Sequence, residues 1–66
     1  MLNANALRAE IARQGMTQKS VAKSIGISEN SFSTKMKTGK FGLDEADAIC
    51  RLLDIRDPVA VFFAQQ

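Results

Sequence analysis

The sequence predicts an all-α domain on three observations. Its 66 residues include a single proline, Pro58. No window of strand length alternates Val, Ile or Thr with polar residues, and apolar residues recur at helical spacing between capping residues and glycines. Five helices follow in order. The first is expected from about Asn3 or Asn5, either of which can cap, through Leu7 and Ile11 to Arg13, with Gly15 as its stop. Thr17 caps a second helix of about two turns that carries Val21, Ala22 and Ile25 on one face, and Gly26 supplies the left-handed residue that ends it. Ile27 fills the turn. Ser28 caps a third helix on which Phe32 and Met36 stand four apart, ending near Thr38 and Gly39. Gly42 with Glu45 three positions on resembles a capping box with glycine in the cap, and it opens a fourth helix expected to form core through Leu43, Ala46, Ile49, Cys50 and Leu53. Asp57 and Pro58 start a short fifth helix with Val59, Phe62 and Phe63.

A chain of this length falls under the roughly 100–200 residues of a typical domain, so residues 1–66 are expected to form one unit with a small core. With 45% hydrophobic and 24% charged residues, the composition is that of a folding chain and not of a disordered one. Cys50 stands alone and histidine is absent, which removes an internal disulfide, a zinc ligand set and the commonest general base. No enzymatic chemistry, metal, cofactor or small-molecule substrate is therefore expected. Residues Met1 to Asn5 lack a charged leader followed by an apolar run, and nowhere do about 20 apolar residues occur together. A cytoplasmic location without membrane contact is expected.

Charge is unevenly placed. From Met1 to Lys40 there are seven basic residues (Arg8, Arg13, Lys19, Lys23, Lys35, Lys37, Lys40) against two acidic ones (Glu10, Glu29), a net of +5. From Phe41 to Gln66, Arg51 and Arg56 stand against Asp44, Glu45, Asp47, Asp54 and Asp57, a net of −3. Such a polarised chain suits one face meeting a polyanion, although a scatter of solvating charges explains the numbers equally well.

The segment Gln18 to Phe32 has the spacing of a helix-turn-helix. Ala22 is small where two helices would cross closely, Gly26 takes the positive φ of the turn, and Val21, Ile25, Ile27 and Phe32 would seal the angle between the helices. Function would then lie on the opposite face of the third helix, which in such motifs enters a major groove. At about 100° per residue from Phe32, Met36 falls at roughly 40°, Lys37 at 140°, Asn30 at 160° and Thr34 at 200°. Asn30, Thr34 and Lys37 form the outward face, Ser31 and Ser33 flank it, and Glu29 occupies the first turn. Short hydroxyl and amide side chains cost helix propensity, so a helix face built from them calls for another reason, and reading base edges supplies one.

The stretch Gly15-Met16-Thr17-Gln18, with Val21-Ala22, Ile25-Gly26-Ile27-Ser28, Phe32-Ser33, Lys35-Met36, Gly39-Lys40, Leu43 and Glu45-Ala46, resembles the Cro/CI-type helix-turn-helix family of phage repressors and related bacterial regulators. It is most similar to short phage-encoded members whose third helix reads Phe-Ser-x-Lys-Met/Leu followed by Gly-Lys. The resemblance covers nearly the whole chain and implies a five-helix, lambda-repressor-like DNA-binding domain. It also implies that Gln18 hydrogen-bonds a phosphate, and that phosphate and base contacts concentrate at Ser28, Glu29, Asn30 and Thr34. One departure is that many members carry an apolar residue where this chain has Lys35, with Met36 taking the packing role.

Each feature also has a plainer reading. Gln18 could be ordinary polar surface, but the exposed N–H groups of a helix start suit an anion. Glu29 favours the helix dipole whether or not it reads a cytosine amine. Lys35, Lys37 and Lys40 cluster at the end of the third helix, where cations serve both the dipole and phosphates. Cys50 is expected to be a small buried hydrophobe. The expected function is sequence-specific binding of double-stranded operator DNA by a homodimer, with Val59, Phe62 and Phe63 at the dimer interface and one of the two phenylalanines in the core. The alternative is a protein-interaction module on the same fold, such as an antirepressor or an antitoxin.

Overall fold

The computed structural model describes residues 1–64. It contains α1 (Ala4–Arg13), α2 (Gln18–Ile25), α3 (Glu29–Thr38), α4 (Leu43–Leu53) and α5 (Pro58–Phe62), with no strand among the described residues. The expected order and type of elements are those observed. Each start follows from local chemistry. Asn3, and not Asn5, caps α1 by accepting the Ala6 N–H at 3.0 Å, and Thr17, Ser28 and Asp57 do the same for Ser20, Ser31 and Ala60. At α4 the cap is a glycine, and the Glu45 carboxylate reaches back to the Gly42 N–H at 2.8 Å.

The helix ends repeat one device. Past α2, Gly26 at φ +83° donates to the Lys23 carbonyl while Ile27 donates to Ala22, the paired bonds of a Schellman turn. Past α4 the left-handed residue is Asp54, at φ +52°, with Ile55 donating back to Cys50. The last carbonyls of α4 are also reached from α1. Gln14 Nε2 donates to the Leu53 carbonyl at 2.9 Å, and Arg13 Nη2 donates to those of Leu53 and Asp54. These bonds tie the end of α1 to the end of α4 and satisfy carbonyls that a helix terminus leaves open.

Helix α2 packs on α3 and α4, while α1 packs on α5. The Asn3 N–H closes the molecule by donating to the Val61 carbonyl at 2.7 Å. Phe32, Leu7, Ile49, Leu53 and Val21 are fully buried at the centre, each worth about 1.5–3 kcal/mol of transfer free energy. Ala22 is 1% exposed, consistent with a close crossing where a larger side chain would not fit. Ile25 and Ile27 are half-buried at the edge of the same seam.

Phe41, in the loop after α3, stacks edge-on between Phe32 and Phe62, with ring centroids 5.4 and 5.9 Å away. It links the base of α3 to α5, a role with no sequence signature because the loop carries no periodicity.

Three expectations need correction. Leu43 is 76% exposed: it is the first residue of α4 and lies on the wall of the open cleft between α4 and α5, where no side chain covers it. Cys50 is half-buried rather than buried, because the cleft between α4 and α5 leaves its side open. Of the two neighbouring phenylalanines, Phe62 is 7% exposed and belongs to the core, while Phe63 is 51% exposed. Phe62 thus leaves the expected interface set, in which Val59 and Phe63 remain at the surface.

Candidate nucleic-acid interface

Helix α3 is anchored on one side only. Phe32 and Met36 are buried against α2 and its neighbours, and the rest of the helix is polar. Glu29, Asn30, Ser31, Thr34 and Lys37 are exposed, Ser33 and Lys35 are half-buried, and Lys40 is exposed in the following loop. The amide of Asn30 and the hydroxyl of Thr34 therefore stand on the side of the helix facing away from its seam, within one turn of each other.

The start of α3 is set by Ser28, whose Oγ accepts the Ser31 N–H at 3.0 Å. A serine hydroxyl engaged as acceptor still has its proton to donate, so Ser28 caps the helix and can also donate a hydrogen bond outward. Gln18 is half-buried as the first residue of α2, behind a cap in which Thr17 and Ser20 exchange bonds at 2.9 and 3.1 Å. Arg8 of α1 lines a shallow cleft of about 260 Å³ together with Thr17 and Gln18. Arg8 has no sequence signature beyond its charge, since nothing in the spacing of α1 and α2 announces that they meet there.

The positive charge of the first forty residues is partly committed. Arg13 pairs with Glu10 on the same helix, and Lys35 Nζ lies 3.1 Å from Glu45 Oε2 across to α4. Arg8, Lys19, Lys23, Lys37 and Lys40 have no carboxylate within ion-pairing distance among the described residues. The Glu45 carboxyl is held below its usual range, first by the Gly42 N–H and then, against partial burial, by the Lys35 ammonium. Burial, followed by the Asp47 charge, pushes the Cys50 thiol up, which disfavours its thiolate form.

Away from α3, a cleft of about 210 Å³ between α4 and α5 is lined by Leu43, Asp47, Cys50, Pro58 and Phe63 among others. Val59, 62% exposed, and the exposed Leu43 and Phe63 make this side of the molecule apolar. No helix among the described residues is long and apolar enough to cross a membrane.

Comparison with known proteins agrees with this geometry. Neither curated proteins nor solved structures return a match to the chain. The sequence model of the Cro/C1-type HTH DNA-binding domain matches residues 6–58, a span that runs from α1 to the first residue of α5 and contains the α2-turn-α3 unit. With most of its length matched and the two helices joined through Gly26 in the expected manner, the chain belongs to the Cro/C1-type HTH DNA-binding domain family, a family of DNA-binding regulators.

Proposed function

We propose that the protein is a sequence-specific regulator of the phage repressor or Cro kind, inserting α3 into the major groove of an operator. The observation that carries this reading is the exposed face of α3. Asn30 and Thr34 are solvent-facing, short and hydrogen-bonding, on a helix whose other side is locked by Phe32 and Met36. Asn is suited to adenine and Thr to several base edges. In this reading Gln18, Ser28, Ser31 and Ser33 hold the backbone, Glu29 meets a base edge end-on, and Lys37 and Lys40 neutralise phosphates.

One recognition helix reads few base pairs, so useful specificity calls for two copies on half-sites about one helical turn apart. The apolar surface formed by Leu43, Val59 and Phe63 supports a homodimer through the α4–α5 side. Selection from random duplexes tests the reading: a regulator yields a two-fold symmetric motif, whereas a protein-interaction module on this fold binds DNA weakly and without preference.

A further inference from the structure

Lys35 differs from the other lysines of the basic half. It lies about 60° around α3 from Phe32, on the shoulder between the buried seam and the flank that carries Ser31 and Thr38. Its side chain is 30% exposed, and its ammonium meets a Glu45 carboxylate that is itself 23% exposed. That carboxylate has two tasks, because its other oxygen accepts the Gly42 N–H at 2.8 Å. The bond at Gly42 fixes the carboxylate from the α4 side, so the ion pair has one end already immobilised and loses less side-chain entropy than an ordinary surface pair.

We infer that Glu45 holds the Lys35 ammonium out of the DNA-contacting set, so that Lys35 seats α3 against α4 and neutralises no phosphate while Glu45 is charged. The inference rests on the chain's binding DNA through the α3 side. It does not depend on which sequence is bound. Lys37 and Lys40 then remain as the phosphate-directed cations at the end of α3. Without its partner, the four-carbon stem of Lys35 is free to swing from the shoulder toward the Ser31 and Thr38 flank, which adds one mobile cation to the DNA-facing side. Glu45 therefore limits the sequence-independent part of binding, the part that follows the number of phosphates neutralised.

The test is the salt dependence of binding to a labelled mixed-sequence duplex, read by fluorescence anisotropy between about 50 and 200 mM salt. Lys35→Met should leave the slope of log K against log salt as in the unmodified protein. Glu45→Gln keeps an oxygen for the Gly42 N–H but no charge, and it should steepen the slope by about 0.9, a further threefold to fourfold loss of affinity across that range. Adding Lys35→Met to Glu45→Gln should abolish the steepening, which assigns it to Lys35 and not to the lost negative charge. A slope that becomes shallower by about 0.9 in Lys35→Met alone makes Lys35 a phosphate contact and overturns the inference. An unchanged slope in Glu45→Gln, or steepening that survives in the double variant, overturns it equally. Circular dichroism checks that each variant is helical, and failure to bind any duplex would count instead against DNA binding through α3.

Discussion

Gly26 turns the chain between α2 and α3 with φ at +83°, and a Cβ built there meets no atom within 4 Å. The requirement for glycine is therefore purely conformational. Gly26→Ala should destabilise the protein by about 1–2 kcal/mol, the cost of a left-handed alanine, with no added steric term. Chemical denaturation measures this, and a loss much above that range would mean that the turn packs more tightly than its open surroundings indicate. Asp54 solves the same problem at the end of α4 without glycine, at φ +52°. Asp tolerates that region better than most side chains. Nothing in the sequence marks Asp54 as a left-handed residue, because Asp is equally at home in a solvated loop and no glycine stands beside it.

At the scale of the helices, Glu45 joins the cap of α4 to the seat of α3. Its carboxyl is held below its ordinary value by the Gly42 N–H first and by Lys35 as well. A carboxyl whose folded pKa is depressed contributes stability that is fully present above its unfolded pKa and is lost as pH falls through the folded one. Stability should therefore decline below about pH 4.3, the usual value for glutamate. Glu45→Gln should flatten that decline while lowering stability near neutrality, as pH-dependent denaturation midpoints would reveal. An acid limb identical in the two proteins would show that Glu45 does not carry the linkage.

Helix starts were legible because caps act three residues away within one segment, as Asn3, Thr17, Ser28 and Asp57 do. The α3 seam was legible for a similar reason, since Phe32 and Met36 repeat at helical spacing. The pairing of Lys35 with Glu45, the bonds from Gln14 and Arg13 to the Leu53 carbonyl, and the stacking of Phe41 were not legible. Each joins residues from different elements, and no local pattern encodes where those elements meet. Leu43 shows the same limit from the other side: a helical wheel gives its direction but not how far the covering helices extend.

Across the whole molecule, the polar face of α3 and the apolar α4–α5 cleft involve different elements, so the proposed DNA contact and the proposed dimer contact do not compete for one surface. The contrast between Phe62 and Phe63, 7% and 51% exposed, separates a core residue from a surface one, and the proposed dimer uses the latter. Phe62→Glu should unfold the domain, at a cost of at least the roughly 3–5 kcal/mol of a large-to-small change. Phe63→Glu should leave it folded, monomeric in sedimentation and weaker on a two-half-site operator. A protein that sediments as a monomer at high concentration, even on operator DNA, would remove the dimer.

The central claim, that the outer face of α3 reads base sequence, is tested most directly by repeating the random-duplex selection with Asn30→Ala and Thr34→Ala. The unmodified protein should return a symmetric motif. Each variant, still folded, should return that motif with preference relaxed at particular base pairs, corresponding to about 1–3 kcal/mol per lost contact. Variants that lose affinity equally on all sequences, or motifs unchanged by either substitution, would contradict the account.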